Sequence, residues 1–240
     1  MQRPIVGILG GMGPAATADL YAKIIAATPA TRDQDHLHVV IWADPTVPDR
    51  STALLQGGED PTPWLLRGAA QLVAMGASFI AVPCNTAHAF FPAIERTITV
   101  PLIHMMDETA TAVECAHPSI ERVGLLATTG TIASGLYQRW FAKHHIEVIA
   151  PNDDQQEQFV MSAIHRVKAG ETGQGATNAL AEAASFLVAH GAEALIAGCT
   201  ELPLIFRDGD ASVPVIDPTR ILAEAVVRRA RASQRAVGGR

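Results

Sequence analysis

The segments Ala81-Val-Pro-Cys-Asn85 and Ile196-Ala-Gly-Cys-Thr200 each place a cysteine directly after a short apolar run, 115 residues apart. Three more pairs of segments match in the same order at nearly the same spacing: Val6–Gly10 with Val123–Ala127, Met75–Ala77 with His190–Ala192, and Val100–Ile103 with Val213–Ile216. Ordered matches at one spacing are the signature of an internal repeat. The sequence therefore predicts two similar domains.

Apolar runs of strand character alternate with longer segments of helical period, the pattern of α/β proteins with parallel sheets. The predicted strands are Ile5–Leu9, His38–Ala43, Phe79–Val82, Leu102–Ile103, Arg122–Leu126, Glu147–Ile149, Ala194–Ala197 and Val213–Ile216. The predicted helices are Ala15–Ala27, Pro63–Met75, Ala87–Thr97, Met105–His117, Thr131–His144, Gln155–Lys168, Gly175–His190 and Thr219–Arg231.

Together, the repeat and the alternation predict an α/β fold of two similar Rossmann-like domains. Their parallel sheets are expected to be related by a pseudo-twofold axis, with the active site between the domains. The first domain is predicted to comprise residues 1–103 and 217–240, with the final helix packing back onto it, and the second residues 104–216. Ligands of open α/β sheets bind beyond the carboxyl ends of the strands, which is where the two repeated cysteines stand.

Bulk composition narrows the class of function. The chain of 240 residues has a net charge of −6, is 48% hydrophobic and 18% charged. A basic footprint for nucleic acid is absent, and no apolar stretch reaches the ~20 residues of a membrane-spanning helix. Residues 1–13 are expected to form a first strand rather than a signal peptide. We therefore expect a cytoplasmic protein with neither a nucleic-acid nor a membrane partner.

The three cysteines do not form a disulfide framework, since their number is odd and the expected compartment is reducing. Cys115 lies within a predicted helix without a counterpart in the other half, so it is interpreted as a small buried structural residue. Cys84 and Cys199 instead end equivalent strands and precede polar residues. A helix N-terminus beside a thiol favours the thiolate, and no zinc-finger spacing accompanies either cysteine.

Two thiols on opposite faces of one carbon suit the inversion of a stereocentre, because one removes a proton and the other returns one. Such a reaction requires no redox or electron-sink cofactor, provided that surrounding donors stabilise the carbanion. We therefore expect Cys84 and Cys199 to be catalytic, with neither a cofactor nor a metal.

Five segments resemble the aspartate/glutamate racemase family over nearly the whole chain: Gly10-Gly-Met-Gly-Pro14, Pro48-Asp-Arg-Ser51, Pro83-Cys-Asn-Thr86, Ile164-His-Arg-Val-Lys-Ala-Gly170 and Gly198-Cys-Thr-Glu201. The resemblance implies a cofactor-independent racemase of acidic amino acids, commonly a homodimer, that acts on a small-molecule amino acid. It also implies that Cys84 and Cys199 are the catalytic pair, as both positions hold cysteine.

The resemblance further implies a set of binding residues. Arg50 and Lys168 match residues that hold the substrate's side-chain carboxylate in the aspartate racemase branch. The family's positions around the substrate's α-carboxylate and amino group correspond to Met12, Gly13, Asn85, Thr86 and Thr200. Thr128 and Thr129 lie in the segment that corresponds, in the second half, to the glycine-rich loop Gly10–Gly13, and they are expected to bind the same carboxylate. Asp49 and Glu201 are candidates for tuning the thiols, and His88 lies close enough along the chain to reach the site.

Several alternatives remain open. Gly10–Gly13 could be only a tight turn, and Arg50 and Lys168 only solvated charges. Among enzymes, the alternatives are a hydantoin racemase, a maleate isomerase or a decarboxylase. A non-catalytic amino-acid-binding module is the alternative to an enzyme.

Overall fold

Two parallel β-sheets form the framework of the protein in a computed structural model that describes residues 3–238. The described residues leave out residues 239–240 as well as Met1 and Gln2. The last two belong to the segment predicted to contain the first strand. The strands are β1 (Ile5–Gly10), β2 (His38–Ala43), β3 (Ala77–Ala81), β4 (Arg122–Leu126), β5 (Glu147–Ile149), β6 (Ala194–Ala197) and β7 (Val215–Ile216). The predicted α/β class with parallel sheets is confirmed.

Helices connect these strands. They are α1 (Pro14–Ala27), α2 (Arg50–Gln56), α3 (Thr62–Ala74), α4 (Phe91–Glu95), α5 (Met105–Ala116), α6 (Thr129–Ala133), α7 (Leu136–Phe141), α8 (Asp153–Gln155), α9 (Ser162–Lys168), α10 (Gln174–Ala189) and α11 (Pro218–Gly238). Short 3-10 helices lie at Asp33–Asp35, Thr86–Phe90, Ala142–His144 and Leu202–Leu204, and a π-helical turn at Gln156–Met161.

The two sheets share one strand order. The first sheet is ordered β2-β1-β3 and the second β5-β4-β6-β7, with all neighbours parallel. Strand β1 thus corresponds to β4, β2 to β5, and β3 to β6. The topology agrees with the repeat in the sequence, and it makes the ends of β3 and β6 equivalent positions.

The fourth strand position differs between the sheets. In the second sheet β7 pairs with β6, whereas in the first the predicted strand Leu102–Ile103 is reduced to an isolated bridge from Leu102 to Ile80. One backbone bond is nevertheless repeated. The amide of Ile80 donates to the Pro101 carbonyl at 3.0 Å, and that of Leu195 to the Pro214 carbonyl at 2.9 Å. The prediction of a full strand at Leu102–Ile103 was wrong, although the segment lies where that strand would lie.

Some predicted helices are interrupted, for reasons visible in the chain. The prediction over Ala87–Thr97 becomes a 3-10 helix followed by α4, because Pro92 in the first turn of α4 has no N–H to continue a helix from upstream. The prediction over Thr131–His144 breaks at Gly135, whose φ is +63°. Helix α2 was not predicted, since it is short and closely follows Pro45 and Pro48.

By its contacts the chain divides into two compact units. The first comprises the chain up to Asp49, Glu59–Met105 and the residues from Thr219 onward, and the second comprises Arg50–Gly58 and Met106–Pro218. The domain boundaries predicted from the sequence stay a prediction. The segment that departs most from them is Arg50–Gly58, because α2 packs against α6 of the second unit.

Helix α11 packs within the first unit. The Arg231 guanidinium donates to the carbonyl of Pro29 at 2.8 Å, and that of Arg229 lies 5.7 Å from the ring centroid of Phe79. Among the described residues no helix is long and apolar enough to cross a membrane.

Each unit has an apolar core that extends to one of the repeated cysteines. Cys84 is part of a buried cluster with Leu9, Leu65, Ile80 and Val82. A second cluster joins Cys199 to residues including Leu126, Leu180, Leu195 and Leu202. Both thiols therefore stand at the margin of a well-packed core, which restricts their movement.

Gly124 in β4 allows close packing of the second sheet. A Cβ at this position would lie 2.8 Å from Cδ2 of Leu195 and 3.0 Å from Cβ of Leu187. We expect Gly124→Ala to lower the free energy of unfolding by about 1–3 kcal/mol, as overpacking does. Gly173→Ala is the control, because a Cβ there meets nothing within 4 Å. Urea-induced unfolding of both variants is the measurement, and equal stabilities would contradict the expectation.

Candidate active site

The loop after β1 is held by a threonine hydroxyl. Thr17 Oγ1 accepts from the N–H of Gly11 at 2.9 Å and donates to the carbonyl of Gly13 at 2.9 Å. Gly11 has a φ of +93°, and a Cβ there would lie 2.4 Å from the backbone of Asp44, so only glycine fits. The loop thereby gives the buried Met12 and the partly buried Gly13 a defined backbone conformation.

Cys84 lies just beyond the carboxyl end of β3 and is 5% exposed. Its N–H donates to the carbonyl of Val82 at 2.9 Å, and its own carbonyl lies 2.9 Å from Nδ1 of His88. Asn85 and Thr86, which follow it, are also buried. The predicted residues of this segment therefore lie together at one edge of the first sheet.

His88 contacts the backbone carbonyl of Cys84. Its other ring nitrogen, Nε2, lies 3.2 Å from the N–H of Met105, which donates to it. Burial lowers the pKa of His88 to about 4, so the ring is neutral at physiological pH. The nearby His104 contributes a smaller lowering of the same pKa.

In the second unit the loop after β4 is capped by its own side chains. Thr128 Oγ1 accepts from the N–H of Thr131 at 3.1 Å, which caps the start of α6. The Gln156 amide donates from Nε2 to the Ala127 carbonyl at 2.9 Å and to Thr129 Oγ1 at 3.3 Å. Because Thr129 accepts this bond, its own hydroxyl proton remains to be donated elsewhere.

Arg50 is placed beside this loop by a glycine. A Cβ on Gly130 would lie 2.5 Å from Oγ and 2.8 Å from Cα of Ser51, so glycine lets the first turn of α2 approach α6. Arg50 is the residue before Ser51 and begins α2. The predicted substrate-binding arginine therefore begins a helix that packs against α6, the helix that begins at Thr129.

Cys199 follows β6 in the position equivalent to Cys84 and is likewise 5% exposed. Its thiol donates to Oε2 of Glu201 at 3.0 Å, and the Thr200 hydroxyl donates to the same oxygen at 3.3 Å. Glu201 is itself only 4% exposed. The corresponding position of the first half is Thr86, so the two thiols have chemically different neighbours.

Electrostatics keep the Cys199 thiol protonated. Burial, followed by the negative charge of Glu201, raises the pKa of Cys199 well above its ordinary value. Lys168, at the end of α9, acts in the opposite direction and lowers that pKa. Of the charged residues predicted for the site, Lys168 and Glu201 thus both act on this thiol.

The remaining residues singled out from the sequence differ in their exposure to solvent. Asp49 and Lys168 are exposed, whereas Thr200 is buried. The interpretation of Cys115 as a buried residue was wrong, because it is exposed near the end of α5. No group of three or more His, Cys, Asp or Glu side chains within residues 3–238 is arranged to hold a metal ion.

Two residues near the site were not predicted. Tyr137 is fully buried, and burial, followed by the negative charge of Asp217, raises its pKa well above the ordinary value; Cys199 is near enough to contribute to the same shift. Gln156 is 6% exposed and bonds the loop after β4. Both lie in helical segments whose periodicity indicates only core packing, and neither belongs to a motif.

The charges around Cys199 make its titration testable. In a background of Cys84→Ser and Cys115→Ser, the pH dependence of alkylation of the remaining thiol by iodoacetamide reports the pKa of Cys199 alone. Glu201→Gln is expected to lower this pKa, because a repelling charge and an acceptor for the thiol proton are lost. Lys168→Met is expected to raise it.

Matched controls are Glu182→Gln and Lys143→Met, which remove exposed charges that do not shift the pKa of Cys199. They should leave the titration unchanged. An unchanged or higher pKa in Glu201→Gln would contradict the assignment of Glu201 as the partner of this thiol.

Residues 9–226 match the Asp/Glu/Hydantoin racemase family. The chain is 31% identical to the broad specificity amino-acid racemase RacX of Bacillus subtilis, an alignment that covers 93% of this chain and 96% of that protein. Its fold is similar to that of the aspartate racemase of Picrophilus torridus, with a TM-score of 0.85, 33% identity and coverage of 95% and 94%. An aspartate racemase homologue from Pyrococcus horikoshii superposes with a TM-score of 0.76 at 25% identity, covering 96% of this chain and all of that one. The chain therefore belongs to the Asp/Glu/Hydantoin racemase family.

Proposed function

We propose that this protein is a cofactor-independent racemase that interconverts the enantiomers of an acidic amino acid, aspartate or glutamate or both. Membership of the family supports an isomerase activity. The observation that carries the proposal is the equivalence of Cys84 and Cys199. Each follows a strand that pairs with the first strand of its sheet, and each is nearly buried beside polar side chains.

In the proposed reaction one cysteine removes the α-proton as a thiolate. The Cα–H bond breaks, an S–H bond forms, and the electron pair stays on the substrate as a carbanion. The other thiol then donates its proton to the opposite face of the α-carbon, where a new Cα–H bond forms. One thiol gains a proton and the other loses one, so the step balances without an oxidant or a reductant.

One of the two cysteines, Cys199, has surroundings that favour its protonated form. The raised pKa of Cys199 and its bond to Glu201 favour a resting thiol on that side. Cys199 would then act as the acid in one direction. In the other direction it acts as a base, because a forward turnover leaves Cys199 as the thiolate and Cys84 as the thiol. The predicted tuning of the thiols by Asp49 and Glu201 stays a proposal, supported for Glu201 by the hydrogen bond from the Cys199 thiol at 3.0 Å.

The remaining assignments are proposals about substrate binding. Hydrogen-bond donors for the α-carboxylate and partners for the amino group are proposed at Met12, Gly13, Asn85, Thr86, Thr128, Thr129 and Thr200. Hydrogen bonds to this carboxylate stabilise the carbanion as charge moves onto it. Arg50 and Lys168 are proposed to hold the side-chain carboxylate, since Arg50 stands beside the Thr129–Gly130 segment and Lys168 acts electrostatically on Cys199.

A racemase with a wider substrate range is the second candidate, favoured by the similarity to a relative named for broad specificity. A hydantoin racemase, a maleate isomerase and a decarboxylase remain alternatives within the wider superfamily. A non-catalytic binding module would bind the amino acid without exchanging its α-proton. A homodimeric assembly, which the family resemblance implies, is also a proposal.

The two-base reaction is tested in deuterium oxide with L- and D-aspartate and L- and D-glutamate. The wild type should incorporate deuterium at Cα and racemise the substrate. Cys84→Ser and Cys199→Ser should each lose about 100- to 10,000-fold of the racemisation rate, the usual contribution of an acid–base group. Each should retain exchange in only one enantiomer, because one base remains.

The exposed Cys115 provides the matched control, and Cys115→Ser should racemise normally. Normal racemisation by either Cys84→Ser or Cys199→Ser would overturn the two-base assignment. A wild type that binds these amino acids without exchanging the α-proton would favour the binding module.

Substrate acidity is tested through Arg50. Arg50→Gln is expected to lower kcat/KM for aspartate or glutamate by about 10- to 100-fold, the value of a hydrogen bond between charged groups. The loss for a neutral amino acid should be much smaller. Arg96→Gln, which removes an exposed charge from the first unit, should change neither. Equal losses for acidic and neutral substrates would refute the role of Arg50 and favour the broad-specificity reading.

A further inference from the structure

His88 forms a bridge between two backbone groups, the carbonyl of Cys84 and the N–H of Met105. Nδ1 lies 2.9 Å from the carbonyl oxygen of Cys84, and Nε2 lies 3.2 Å from the N–H of Met105. The N–H of Met105 can only donate, so Nε2 is the unprotonated nitrogen. Nδ1 therefore carries the proton and donates it to Cys84, which defines one neutral tautomer.

The ring is held in this orientation by its neighbours. His88 is 2% exposed and stacks on Phe91, with ring centroids 4.0 Å apart. Phe91 in turn contacts the ring of His104 edge-on at 5.0 Å, and His104 pairs with Glu95 at 2.7 Å. Rotation of His88 would lose both hydrogen bonds and this stacking together.

The bridge joins Cys84 to the first residue of α5, Met105. Met105 is the last residue of the central segment of the first unit, just after the bridge from Leu102 to Ile80. Cys84 is thus restrained at both of its backbone groups, through its N–H to Val82 and through its carbonyl to His88. Its thiol position depends on both restraints.

The second half of the repeat has no histidine at the position equivalent to His88. The residue equivalent to His88 is Pro203, four residues after Cys199, and proline offers no such side chain. There the carbonyl of Cys199 accepts from the backbone N–H of Leu202 at 3.0 Å. A histidine bridge therefore serves Cys84 alone.

We propose that His88 is a positioning residue for Cys84, which holds the thiol at its reacting distance by tying the Cys84 carbonyl to the amide of Met105. This inference rests on the proposed function. It assigns His88 no contact with the substrate, and it predicts that loss of the bridge affects the proton transfers of Cys84 and not those of Cys199.

Three substitutions of His88 test its hydrogen bonds to Cys84 and to Met105 separately. His88→Asn keeps a donor near the position of Nδ1, so it can retain the bond to Cys84. His88→Gln keeps an acceptor near Nε2 for Met105 but loses the bond to Cys84, and His88→Phe loses both while keeping the stacked ring. We expect kcat to fall by about 100-fold in His88→Gln and His88→Phe, as a misplacement of roughly 1 Å can cause, with little change in KM. His88→Asn should recover a large part of kcat.

Isotope effects identify the affected thiol. With α-deuterated L- and D-substrate, the isotope effect on kcat/KM in His88→Gln should rise for the enantiomer that Cys84 deprotonates and fall for the other. Changes of equal size and sign for both enantiomers would overturn the proposal, as would a His88→Asn variant no better than His88→Phe.

A measurement without turnover distinguishes this proposal from the proposed function. In a background of Cys115→Ser and Cys199→Ser, His88→Gln should change the pH dependence of alkylation of Cys84 by iodoacetamide, and His88→Asn should not. In a background of Cys84→Ser and Cys115→Ser, no His88 variant should change alkylation of Cys199. An unaltered Cys84 in His88→Gln would refute the positioning role, whereas an inactive wild type would refute only the racemase. Circular dichroism verifies that each variant is folded.

Discussion

Backbone groups that run past the ends of parallel strands must find new hydrogen-bond partners when they are buried, and this constraint shapes the whole candidate site. A buried N–H or C=O without a partner costs about as much as a lost hydrogen bond. The loop after β1 is satisfied by the Thr17 hydroxyl, and the one after β4 by the Gln156 amide. His88 does the same for the loop that carries Cys84. Hydrogen bonds with these three side chains thus fix the loops from which the proposed binding groups project.

Much of the framework could be predicted from the sequence, because each segment of an internal repeat can be compared with its counterpart in the other half. Segments that are ambiguous alone, such as Val123–Ala127, become strands once a partner is found in the other half. Leu102–Ile103 shows the limit of this reasoning. The segment Val100–Ile103, which contains it, matches Val213–Ile216, but only Leu102 forms a bridge, to Ile80. The hydrogen bond that the Ile80 N–H donates to the Pro101 carbonyl is repeated in the other half, whereas the length of strand pairing differs.

The site was predictable where a motif marks it and not where packing decides it. Cys84, Cys199 and their polar neighbours stand in recognisable segments. Helix α2 was missed, and it is placed by the absence of a side chain at Gly130, which no local pattern reveals. The reach of the Gln156 amide to Ala127 likewise depends on tertiary structure. The exposure of Cys115 was also misjudged, because its helical context does not determine which face carries it.

The hydrogen bond between Cys199 and Glu201 has a consequence for the chemical durability of the protein. Oxidants and electrophiles attack the thiolate form of cysteine far more readily than the thiol. Cys199 is 5% exposed, and burial together with the neighbouring carboxylate favours its protonated form, so it is a poor target for both. The surroundings that keep a proton on this sulfur therefore also disfavour its irreversible oxidation.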